Sequence, residues 1–92
     1  MQKSPADERP SRVFKTQKRF KAETKNLGKR VRRLRKANSW TLERAAENMH
    51  LDLKHLQKIE AGQLNVTLVT LVRIAEGLEI PMSDLFPRRR RN

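Results

Sequence analysis

Two histidines, His50 and His55, are the only imidazoles in the chain, and cysteine is absent. A five-residue offset turns the two rings to different faces of a helix, so they do not share a metal ion. Without thiols there is no disulfide and no thiolate chemistry, which suits a reducing cytosol. No acid–base pair stands in a pattern that suggests a pocket, and no glycine-rich phosphate loop is present. These absences argue against an enzyme; no cofactor, metal or small-molecule ligand is expected. What remains is charge. The 92 residues carry 22 Lys+Arg against 10 Asp+Glu, a net charge of +12. That excess points to a polyanion, nucleic acid first and an anionic membrane surface second. Lys54 and Lys58 are four apart and so share one helix face.

The charge is uneven. Met1 to Asn26 carries +5, Leu27 to Phe86 +3, and Pro87 to Asn92 +4, the last from Arg88 to Arg91 alone. The middle is an ordinary mixed-charge sequence, long enough for one small domain with a modest core. Residues 1–24 hold only Val13, Phe14 and Phe20 as large apolar residues, and read as a disordered basic arm. Residues 87–92 read as a basic tail. No apolar run approaches a membrane span, and the first residues do not resemble a secretory signal. A soluble, cytoplasmic protein associated with the nucleoid is expected, with no membrane role.

Residues 25–86 parse into five short helices. The first runs from Lys25 to Ala37, with Leu27, Val31 and Leu34 on one face. Phe20 continues that spacing and allows an earlier start. The second starts at Thr41, a good N-cap residue, with Glu43 in the first turn. It carries Leu42, Ala45, Ala46 and Met49. The third starts at Asp52, another good N-cap, and runs to Ala61 with Leu56 and Ile59 inward; Gly62 suits its C-cap. The fourth starts near Thr67 and shows Leu68, Leu71, Val72, Ile74, Ala75 and Leu78. The fifth is short, from Pro81 to Phe86. Nothing alternates with period two, so no sheet is expected.

The second and third helices are joined by a few residues near His50-Leu51, a join that holds two helices at a steep angle. Small Ala45 and Ala46 permit their close approach. From Leu27 to Phe86 the chain resembles the Cro/Xre-like (phage-repressor type) helix-turn-helix family almost end to end. Leu27 to Arg35 is similar to its opening helix, and Trp40-Thr41-Leu42-Glu43 with Ala46 to the start of its second. Leu56-Gln57-Lys58-Ile59-Glu60-Ala61-Gly62 carries its Ile-Glu-x-Gly ending. Thr67-Leu68, Thr70-Leu71, Ile74-Ala75 and Leu78 match its fourth helix, and Ile80 to Phe86 its fifth.

The resemblance implies an all-α, five-helix lambda-repressor-like domain that binds double-stranded DNA, with its third helix in the major groove. It implies that this helix presents Leu53, Lys54, His55, Gln57 and Lys58 to the bases. Lysine donates to guanine N7 and O6, glutamine reads adenine, and a leucine packs on a thymine methyl. It implies phosphate contacts from Thr41, Gln63 and Asn65. Arg35 and Glu60 are implied as a structural ion pair, and Trp40 reads as packing. The chain departs from the family at four kinds of position. Leu42 stands for a usual glutamine, His50 and Glu79 for usual glycines, and Val66 for a frequent proline. Val69 stands for a polar residue and, with Val66, forms a small exposed apolar patch.

The function expected is a sequence-specific transcription regulator, repressor-like, acting as a possible homodimer whose surface involves Met82, Leu85 and Phe86. One rival is a protein-interaction adaptor or antitoxin on the same fold. Another is sequence-neutral nucleic-acid binding driven by the tails, with a steep salt dependence.

Overall fold

The computed structural model describes residues 5–87, with side chains described from Lys15 onward. Met1 to Ser4 and the tail from Arg88 to Asn92 lie outside the described residues. Four α-helices follow one another: α1 (Pro5–Ala37), α2 (Leu42–Met49), α3 (Leu53–Glu60) and α4 (Leu68–Leu78). A single 3-10 turn, Met82–Leu85, closes the order. The expected fifth helix is thus one tight turn, too short for a second turn between Pro81 and Phe86. Among the described residues there is no strand.

The first helix corrects the expectation of a disordered arm, because it begins at Pro5 rather than Lys25. Scarcity of apolar residues argued against a core, not against a helix. Lys, Arg, Gln, Glu and Ala are all good helix formers, and they fill this stretch. Pro5 stands in a first helical turn, where proline is tolerated. Pro10 removes one backbone donor, so the ladder is weakest in its first turns. Every side chain from Lys15 to Glu23 is exposed, and packing begins at Thr24. Its hydroxyl lies 3.0 Å from the Lys21 carbonyl oxygen and 3.3 Å from that of Gly62, and its one proton is shared between them.

Below that point α1 turns Leu27 and Val31 into the core. They meet Ala45, Ala46 and Met49 of α2, Leu56 and Ile59 of α3, Ile74, Ala75 and Leu78 of α4, and Leu85. Trp40, Leu42, Leu51 and Leu64 pack around this centre, half-buried. Arg30 donates from Nε to the Asp84 carbonyl at 2.9 Å and ties the 3-10 turn to α1. Gly28 lets α1 cross α3 at close range. A β-carbon there would collide with the carbonyl oxygens of Ile59 and Glu60.

All four helices end the same way. A residue in the left-handed region follows the last turn: Ser39 (φ 58°), His50 (57°), Gly62 (73°) and Glu79 (58°). In each case the next N–H reaches back five residues, Trp40 to Arg35, Leu51 to Ala46, Gln63 to Lys58 and Ile80 to Ala75. The left-handed residue's own N–H donates three residues back. This paired closure satisfies carbonyls that would otherwise be orphaned. Three of the four positions carry a side chain where glycine fits best. A side chain in that region costs about 1–2 kcal/mol, and glycine's extra backbone entropy offsets about half of it. Ser39→Gly, His50→Gly and Glu79→Gly should therefore each stabilise the fold by about 0.5–1 kcal/mol. His50→Gly should gain least, because histidine tolerates this region better than most residues. Thermal denaturation should show a rise of about 4–8 °C per kcal/mol in a domain of this size. A fall on Glu79→Gly would sink the argument.

The N-caps follow expectation with one exception. Thr41 accepts from the Arg44 amide at 3.1 Å, and Thr67 from the Thr70 amide at 3.3 Å. Asp52 occupies the N-cap position of α3 in extended backbone but makes no side-chain cap bond.

Candidate nucleic-acid interface

Only His50, Leu51 and Asp52 separate α2 from α3. The reversal depends on His50 holding its left-handed conformation, so the usual glycine turn is kept with a different residue in it. Leu51 covers the turn from inside. Ala45 and Ala46, both buried, let α2 lie close to its neighbours.

On α3, Leu56 and Ile59 are fully buried, and they fix which face turns outward. Lys54, Gln57 and Lys58, spaced i, i+3, i+4, form that outer face, all exposed. Leu53 and His55 lie on its two borders, half-buried. All five residues expected on the reading surface are therefore on or beside one face. Gln63 and Asn65 are exposed in the loop that follows α3. Thr41 stands apart from them, exposed at the start of α2 with its hydroxyl engaged in the cap. Leu42, which replaces a polar residue of the family, is half-buried and packs against the core, not outward.

The outer face is braced from behind. Arg35 forks onto Glu60, with Nε to Oε2 at 2.7 Å and Nη2 to Oε1 at 3.1 Å. Its remaining Nη1 donates to the Trp40 carbonyl at 2.8 Å. Both charged side chains are about nine-tenths buried, at 10% and 8% exposure. The hydrogen bond to Glu60 holds the Arg35 guanidinium above its usual pKa; burial pulls the other way and Glu60's charge adds to the rise. One side chain thus joins α1, the α1–α2 link and the last turn of α3. The Trp40 bond had no sequence signal of its own, because it goes to a backbone atom.

The apolar residues of α4 divide in two. Ile74, Ala75 and Leu78 are core, while Leu68, Val69 and Val72 are exposed on one side. Val66 is half-buried against the core, so the expected Val66/Val69 patch is instead Leu68, Val69 and Val72. Leu85 is buried, Met82 half-buried and Phe86 exposed. Among the described residues no group of three or more His, Cys, Asp or Glu could hold one metal ion. No described helix is long and apolar enough to cross a membrane.

The helix-turn-helix family model matches residues 31–85, from the last two turns of α1 to the 3-10 turn. Control protein C.MunI of Mycoplasma sp is 38% identical over 61 residues, 65% of this chain and 82% of that protein. The crystal structure of the restriction-modification controller protein C.AhdI from Aeromonas hydrophila is similar with a TM-score of 0.69 and 35% identity. The match covers 71% of this chain and 98% of that one. An HTH_3 family transcriptional regulator from Vibrio cholerae matches with a TM-score of 0.70 and 28% identity, over 73% of this chain and 38% of its own. With a braced α3, a three-residue turn and this match across most of the packed body, the chain belongs to the Cro/Xre-type helix-turn-helix family of DNA-binding transcription regulators.

Proposed function

We propose that the chain controls transcription by reading a specific double-stranded DNA site as a pair of identical copies. The observation that carries this reading is the exposed face of α3, Lys54, Gln57 and Lys58 together, on a helix held from behind. In the major groove these side chains offer donors to guanine and a two-sided amide to adenine. Leu53 reaches a thymine methyl, and His55 completes the base-contacting set. Thr41, Gln63 and Asn65 contact phosphates on either side and set the register of α3.

Pairing follows from size, because one eight-residue helix reads few base pairs. Leu68, Val69 and Val72 supply an exposed apolar face for a symmetric contact. Leu85 takes no part in it, since it is core. By its likeness to C.AhdI, the DNA controlled would be that of a restriction–modification system.

Selection of bound duplexes from a random pool at physiological salt tests the reading. It should return a palindrome whose half-sites lie about one helical turn apart. Lys54→Ala and Lys58→Ala should each relax one position of that motif at a cost of about 1–3 kcal/mol. Enrichment of no motif would end the specific reading and favour an adaptor role. A lone half-site would end the pairing.

A further inference from the structure

The family model begins at residue 31 and the resemblance at Leu27, so the turns of α1 ahead of Leu27 lie outside both. That stretch is exposed and basic. Lys18, Lys25, Lys29, Arg32 and Lys36 fall within an arc of about 60° around α1, at 100° per residue. An arc of about 120° adds Lys15, Lys21 and Arg33. Leu27, Val31 and Phe20 lie on the opposite side. From Lys15 to Lys36 the only acid is Glu23, which is off this arc and pairs with Arg19 at 4.0 Å. A helix face lined with lysine and arginine, with no acid on it between Lys15 and Lys36, is complementary to a line of phosphates.

The position of this face supplies the second observation. Gly62 packs against the backbone of Lys25, and Thr24 bonds to the Gly62 carbonyl. The extension therefore leaves the body beside the loop that carries Gln63 and Asn65. A cleft of about 600 Å³ lies between them, with Lys21, Lys25, Gln63 and Asn65 around it and Phe20 and Leu64 on its apolar wall. Two lysines of α1 and two amide residues of the loop thus border one mostly apolar cleft.

We infer that the extension of α1 from Lys15 to Lys25 is a rail for the DNA backbone, gripping phosphates that flank the sequence read by α3. Those residues rise about 15 Å along the helix, which spans about four base pairs of duplex. The rail is sequence-neutral. It adds affinity and length of footprint, while α3 chooses the site. The inference rests on the double-stranded DNA reading above.

The test uses the full chain and two quadruple variants at Lys15, Lys18, Lys21 and Lys25, one to Gln and one to Arg. Affinity for a mixed-sequence duplex of about 40 base pairs is measured against salt. Each phosphate contact contributes about 0.9 to the slope of log K against log salt, so the Gln variant should lose about 3–4 from the slope. Its affinity near 0.1 M salt should fall tenfold or more, and the Arg variant should match the unmodified chain. On the duplex returned by selection, hydroxyl-radical protection flanking the motif should retract in the Gln variant alone. A simple loss of net charge would not shorten the protected stretch. Circular dichroism verifies that the helix is retained. An unchanged slope or an unshortened footprint in the Gln variant overturns the rail and leaves the specific reading in place. A chain that selects no motif yet loses slope on the Gln change leaves the rail in place and removes the specific reader.

Discussion

Glu60→Ala is expected to cost about 3–5 kcal/mol of folding stability, because it strands a buried guanidinium. Arg35 makes three hydrogen bonds, two of them to Glu60, and its side chain is only 10% exposed. Removing the carboxylate leaves its charge with the Trp40 carbonyl alone. Arg35→Ala is expected to be equally severe for a further reason. Glu60 is the last residue of α3, where the helix dipole opposes an anion. Arg35 is what makes a carboxylate tolerable there, and its loss also orphans the Trp40 carbonyl. Arg35→Lys keeps the charge but not the fork, and should fall between the unmodified chain and the alanine variants. Replacing both partners by leucine should recover much of the loss, since neither charge is then buried alone. Melting temperature and urea midpoint measure all four. The total stability of a domain is about 5–15 kcal/mol and a small domain lies toward the low end, so the single alanine variants should lose a large share of it and melt at a much lower temperature. DNA binding should disappear with the fold. An alanine variant with an unchanged melting temperature and lost binding would mean that the pair acts on DNA and not on structure.

Gly28→Ala should destabilise by about 2 kcal/mol or more, although alanine is the better helix former by about 1 kcal/mol. The new methyl group would press on the Ile59 carbonyl oxygen and stand 2.6 Å from that of Glu60. Both obstacles are backbone, in the last turn of α3, and cannot rotate aside. The only relief is to move α1 off α3, and that movement lengthens the Arg35–Glu60 fork as well. The two sites are therefore coupled, and Gly28→Ala combined with Glu60→Ala should cost less than the sum of the single changes. Urea denaturation of the three variants gives the answer. A neutral or stabilising Gly28→Ala would mean that α1 and α3 lie farther apart than described.

The packed body was legible because its signals agree with one another. Leu27 and Val31 at helical spacing mark the first helix, Thr41 and Thr67 cap the second and fourth, and Gly62 closes the third. The outer face of α3 followed from Leu56 and Ile59, since two buried positions on eight residues fix the rest. Four features were harder to read. Composition alone placed residues 1–24 outside any regular structure, but hydropathy reports burial, and an exposed helix needs none. The apolar residues of α4 exceed what one face can bury, and periodicity does not say which surplus stays outside; Leu68 and Val72 stayed out, and Thr70 went in. The fifth element had the right residues for a helix start but not the length for a second turn. The left-handed geometry at Ser39 carried no residue signal, because serine is not a usual occupant of that region.

The continuity of α1 has a kinetic consequence. Beginning a helix is the costly step, with a statistical weight of about 10⁻³, whereas adding a residue to an existing one is nearly free. The turns around Leu27 and Val31 are fixed by the core, so the stretch ahead of Thr24 starts from a template that already exists. It grows by propagation alone. Its amides should therefore close from Thr24 outward, and open again in the reverse order, each turn less protected than the one behind it. Whatever ligand holds its outer turns lengthens a helix that the core has already begun.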